Sequence, residues 1–127
     1  QDWGGKMKIY SKQRGDVVII NLIGTINGGK DCEKLDGMVR EKAEAGHRKI
    51  IINFQLIRFI TSCGIGTLIS CKKLVEGHGG RIAMCCLDRR PVSVLYKSKL
   101  YDYFDITDTL KQALALMENT ETVAAEA

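Results

Sequence analysis

The sequence predicts a single α/β domain with a mixed, mainly parallel five-stranded sheet and about four helices. Three observations carry that expectation. The chain opens on two apolar or alternating runs joined by Gly15-Asp16, which is hairpin chemistry. Its middle holds Ile50-Ile51-Ile52, a β-branched run suited to a strand buried on both faces. After the hairpin, strand-like and helix-like segments alternate strictly, which calls for crossover connections between parallel strands.

Taken in order, Lys8–Gln13 and Val17–Ile23 form the hairpin arms, because Gly and Asp tolerate the positive φ of a tight turn. Asn27-Gly28-Gly29 breaks the pattern. Asp31 is then suited to cap a helix over Cys32–Ala45, whose Cys32, Leu35, Met38, Val39 and Ala43 recur every three to four residues on one apolar face. Gly46 stops it. Lys49–Phe54 is a buried strand, and Gln55–Thr61 reads as a loop into a second helix over Cys63–Glu76, with Ile65, Leu68, Ile69 and Leu74 inward. Gly77, Gly79 and Gly80 close that helix. Arg81–Leu87 reads as another strand, Pro91 opens a helix near Val92–Lys99, Phe104–Thr107 is a short strand, and Thr109–Glu118 a last helix. The domain is expected over residues 8–118. Residues 1–7 read as an N-terminal extension or cloning remnant, and 119–127 as a small, acidic, flexible tail.

Length and composition narrow the function. A chain of 127 residues, 45% of them apolar, fits one domain with its own core. Apolar runs are only a few residues long, whereas a transmembrane helix needs about 20, so no membrane insertion is expected. The net charge of +4 is modest. Lys8, Lys12, Arg14, Lys72, Lys73, Arg89 and Arg90 are scattered without aromatic interleaving, which argues against direct nucleic-acid binding. Cys32, Cys63, Cys71, Cys85 and Cys86 are an odd set with no C-x-x-C pair, so reduced, mostly buried thiols in the cytoplasm are expected, with neither metal nor cofactor.

Two segments carry possible chemistry. Gly24-Thr25-Ile26-Asn27-Gly28-Gly29-Lys30-Asp31 matches the phosphate-loop pattern G-x-x-x-x-G-K between a strand and a helix. Its last position, which should offer a hydroxyl to Mg²⁺, is Asp31; a Gly-rich turn into a capped helix is the competing reading. The second segment is Thr61-Ser62-Cys63-Gly64-Ile65-Gly66, at the start of a helix after a buried strand. Ser62 has the position and chemistry of an N-cap, and the helix dipole would stabilise a phosphate on its hydroxyl. Gly64 and Gly66 leave the first turn bare, so that another protein surface could approach closely. Cys63 is the enzyme candidate. A cysteine phosphatase would need Arg where Ile69 stands, and a peroxiredoxin would need Thr where Ile60 stands. Neither His47 nor His78 has the setting of a base, and there is no G-x-S-x-G, so no catalytic residue is assigned.

The run Phe59-Ile60-Thr61-Ser62-Cys63-Gly64-Ile65-Gly66-Thr67-Leu68 resembles the signature F-x-D-S-S-G-L-G-x-L of the bacterial STAS-domain anti-sigma factor antagonists. Gly24-Thr25-Ile26-Asn27 is similar to the family's G-E-L-D. Gly79–Cys85 resembles the strand after the signature helix, and Leu100–Ala113, with Phe104-Asp105-Ile106 inside it, the closing strand and helix. The resemblance implies a STAS fold and no enzyme activity. It implies a phosphoacceptor at Ser62 and a partner-binding face around Asn27, Thr61, Ser62, Cys63, Gly64, Ile65 and Gly66. The implied partner is an anti-sigma factor, a serine kinase that brings its own ATP and Mg²⁺; the unphosphorylated antagonist holds it and frees the sigma factor. Thr61 stands for the family's Asp, Cys63 for its second Ser, and Thr25 and Asn27 for the acids of G-E-L-D. Those departures leave a constitutive binder open. A STAS scaffold in a stress-signalling or lipid-transport complex, and a small nucleotide-binding protein using Gly24–Asp31, are the alternatives.

Overall fold

The computed structural model describes residues 7–126, and side chains through residue 118. Strands β1 (Met7–Arg14) and β2 (Val17–Ile26) form the opening hairpin. Gly15 takes φ +61° in its turn, a conformation glycine adopts without steric cost. Then come α1 (Gly29–Glu44), β3 (Lys49–Ile60), α2 (Ser62–Gly77), β4 (Arg81–Cys85), α3 (Arg89–Lys97), a 3₁₀ turn at Tyr101–Tyr103, β5 (Asp105–Thr107) and α4 (Leu110–Glu126). The sheet runs β1-β2-β3-β4-β5; the hairpin pair is antiparallel and every other pair parallel. The expected mixed, mainly parallel α/β sheet is present.

Helices cover both faces of this sheet. On one, Ile20, Ile50, Ile52 and Phe54 pack with Leu35 and Val39 of α1, Leu68 and Val75 of α2 and Leu95 of α3. On the other, Val17, Ile19, Ile51 and Ala83 meet Ala113 and Met117 of α4. Successive strand residues point to opposite faces, so Ile50-Ile51-Ile52 serves both cores at once, with each residue fully buried.

Several boundaries differ from the sequence expectation, each for a local reason. Met7 is fully buried and begins β1, one residue ahead of the expected domain start. The supposed extension over residues 1–6 and the side chains of the supposed tail over 119–127 lie outside the described residues. The expected loop at Gln55–Thr61 is mostly strand: β2 continues to Ile26 and pairs Ile23 with Leu56 and Ile26 with Ile60. Register shifts in that stretch bury Phe54, Ile57 and Ile60 at every third position, which hides the two-residue period of a strand. β4 ends at Cys85, because Cys86 turns to φ +63°. Helix α4 starts with a capping box, in which Thr109 Oγ1 accepts from the Gln112 N–H at 3.1 Å and Gln112 Oε1 accepts from the Thr109 N–H at 3.1 Å.

Candidate functional site

The site forms where parallel β2 and β3 end side by side. The Thr61 N–H donates to the Ile26 carbonyl at 3.1 Å, so the turns leaving both strands are held together. The carboxyl ends of parallel strands are where open α/β sheets present their binding loops. Exposed Asn27 lies on one turn and exposed Ser62 and Cys63 on the other.

The cap of α2 is Thr61 and not Ser62. Thr61 has extended backbone, and its Oγ1 accepts from the Gly64 N–H at 3.3 Å. Ser62 is therefore the first residue of the helix, exposed, with its hydroxyl spared the capping task. The free amides of this first turn still favour negative charge at that end.

The two glycines play different parts. Gly64 is buried, and a Cβ on it would lie 2.6 Å from Ile60 Cγ1 and 2.8 Å from Ile26 Cγ2. Its bareness lets the helix press onto the strand ends, and leaves no space there for an approaching protein. Gly66 is exposed, with open space where a side chain would stand. Ile65, expected on the partner face, is 6% exposed and belongs to the core. Of the expected face, Asn27, Ser62, Cys63 and Gly66 are outward, Thr61 is half-buried, and Gly64 and Ile65 point inward.

The Gly24–Asp31 segment is built as a structural tie. Gly24, Thr25 and Ile26 are paired within β2, and the helix cap is Gly28. Asp31 lies inside the first turn of α1, 2% exposed, where its carboxylate accepts from the Asn27 N–H at 2.9 Å and the Met7 N–H at 3.1 Å. An amide that a phosphate cradle would need is thus taken by a buried carboxylate. This geometry opposes nucleotide binding through that motif.

Cys32, in the first turn of α1, escaped notice in the sequence as a site residue. Its Sγ lies 3.1 Å from Cys63 Sγ in a thiol hydrogen bond between the two helix starts. Thirty-one residues separate the pair, and no spacing rule points to it. Burial raises the Cys32 pKa, with the Thr67 hydroxyl opposing the shift. Cys71 is pushed up to about 12 and Cys85 higher still, chiefly by burial. Cys63 is the exposed thiol of the five. Among the described residues, no cluster of three or more His, Cys, Asp or Glu is arranged to hold a metal, and no helix is long and apolar enough to cross a membrane.

A family model described as the STAS domain matches residues 8–113. The chain belongs to the STAS domain family. Solved structures agree in fold. An anti-sigma factor antagonist from Mycobacterium paratuberculosis shares 14% identity at a TM-score of 0.79, over 88% of this chain and 94% of that one. The anti-sigma factor antagonist SpoIIAA in its unphosphorylated form shares 20% identity at 0.76, over 88% and 97%. The Bacillus cell fate determinant SpoIIAA in its phosphorylated form shares 21% at 0.67, over 85% and 97%. In this STAS domain, the signature run spans the last two residues of β3, Phe59 and Ile60, the Thr61 cap and the first two turns of α2.

Proposed function

We propose that this STAS domain is an anti-sigma factor antagonist that binds an anti-sigma serine kinase and releases its sigma factor, with phosphorylation of Ser62 ending the contact. The observation that carries the reading is the setting of Ser62: exposed, first in α2, and relieved of capping by Thr61. A kinase needs a hydroxyl it can reach, and here that hydroxyl costs the fold nothing to surrender. Phosphate would add roughly 1.5 to 2 negative charges to a close contact, which is unfavourable unless the partner supplies cations. The departures from the family signature fit the same role. Thr61 does the capping that an Asp there would do, and Asn27 keeps a polar side chain at the edge of the face. The reading gives this chain no catalytic step, since the partner brings nucleotide and metal.

The test is retention of host proteins on immobilised wild type, Ser62→Ala and Ser62→Asp, with mass spectrometry of the partners and of Ser62. A kinase-type anti-sigma factor is expected on wild type and Ser62→Ala and missing from Ser62→Asp, with phosphate found on Ser62. Equal retention on all three with unmodified Ser62 would leave a constitutive binder. Retention of no such factor by any of them would remove the antagonist reading.

A further inference from the structure

The Cys32–Cys63 contact joins the first turns of two packed helices at the rim of the face just described. Its chemistry is separable from partner binding. The sulfurs lie 3.1 Å apart, and a disulfide needs about 2.0 Å. They must close by roughly 1 Å, and Cys63, the exposed partner, is the side chain with room to move. A shallow cavity of about 360 Å³ opens over the pair, with Gly66 and Thr67 in its wall and Glu33 and Asp36 at its edge. Gly66 puts no side chain in the way, so a small reagent has access to Cys63. The other thiols lack this setting: Cys71 and Cys85 are buried, and Cys86 is half-buried.

We propose that Cys63 and Cys32 are an attacking and resolving thiol pair that closes a reversible intrachain disulfide on meeting a small-molecule disulfide. Cys63 gives its proton to solvent, and its thiolate attacks one sulfur of the reagent. A bond forms between Cys63 and that half, and the other half leaves as a thiolate, which takes a proton. Cys32 then loses its proton and attacks Cys63 Sγ. The Cys32–Cys63 bond forms and the second half departs as a thiol. Two cysteines are oxidised, and one small disulfide is reduced to two thiols. Cys63 enters first because it is exposed. Cys32 is shielded from the reagent yet already in contact with the sulfur it must attack. Burial holds Cys32 protonated until then. The product pins the start of α2 to the start of α1 beside Ser62.

The experiment exposes the whole, purified, reduced chain to oxidised glutathione, quenches with acid, and maps thiols by alkylation in denaturant and mass spectrometry. No partner is present, so the result stands apart from the antagonist reading. Wild type is expected to lose two of its five titratable thiols, retain no glutathione, and give a Cys32–Cys63 linked peptide. Cys32→Ala is expected to stop at glutathione on Cys63, and Cys63→Ser to keep its thiols reduced over the same time. Glutathione persisting on wild-type Cys63 would overturn the proposal, as would an unreacted Cys63, a bond between two chains through Cys63, or a bond between any other pair. The wild-type map alone decides the matter if the Cys32 variant does not fold.

Discussion

Two glycines in one helix turn should respond to the same substitution with opposite sign. Exchange of Gly for Ala inside a helix ordinarily stabilises by up to about 1 kcal/mol, through reduced backbone entropy in the unfolded chain. Gly66→Ala should show that gain, since nothing stands within 4 Å of the added methyl. In Gly64→Ala the same methyl meets Ile60 Cγ1 at 2.6 Å and Ile26 Cγ2 at 2.8 Å. Both isoleucines are β-branched and buried, at 2% and 0% exposure, so neither side chain can swing into solvent. Overpacking of this kind costs about 1–3 kcal/mol. Set against the propensity gain, Gly64→Ala should lose up to ~2 kcal/mol net, and the two variants should differ by ~1–3 kcal/mol, the overpacking cost itself. Urea unfolding followed by far-ultraviolet circular dichroism measures this as a midpoint moving down for one and up for the other at unchanged slope. A Gly64→Ala protein as stable as Gly66→Ala would refute the close packing of α2 on the strand ends. The account of why this position is bare would fall with it.

Asp31→Ala should lower stability by about 2–3 kcal/mol, because the amides of Met7 and Asn27 lose a charged acceptor at a buried position. Denaturant midpoints decide this, and a change below about 0.5 kcal/mol, the level of an ordinary surface substitution, would mean water replaces the carboxylate freely. The alkaline limb of stability should carry a thiol signature. Cys71 has its pKa raised from 9.0 to about 12, so the folded state keeps a proton that the unfolded state releases. Its contribution is whole below about pH 9 and is lost as pH rises toward 12, at up to about 1.4 kcal/mol per unit. Cys71→Ala should therefore flatten the fall in urea midpoint between pH 9 and 10.5 relative to wild type. Identical slopes would show that Cys71 is not held protonated by the fold.

The fold was legible in the sequence because its signals are local. The Gly-Asp hairpin turn, the Ile50–Ile52 run and the helical spacing of Leu35, Val39 and Ala43 each declare an element without help from distant residues. The far half of β3 was not legible. Its backbone conformation depends on pairing with the end of β2, and the register shifts there erase the alternation by which a strand is read. The site divides in the same way. The signature run located Ser62 and Cys63, but the division of labour between Thr61 and Ser62 is a matter of one residue at a helix boundary. Cap chemistry suits both hydroxyls, so only backbone geometry separates them. The inward aim of Gly64 and Ile65 and the meeting of Cys32 with Cys63 come from how two helices rest on one sheet, and no one-dimensional pattern records that.

The close seat of Gly64 on Ile26 and Ile60 bears on how information could leave this molecule. The first turn of α2 is clamped by its cap on one side and by the strand ends beneath, so it has little slack to relay a pull into the body of the domain. A group added at Ser62 would sit on it as a stamp sits on an envelope. Whatever reads that mark must do so by touching it, through charge and shape at the surface. A domain built this way would carry such a mark without bending to it, and the interpreting machinery would belong to its reader.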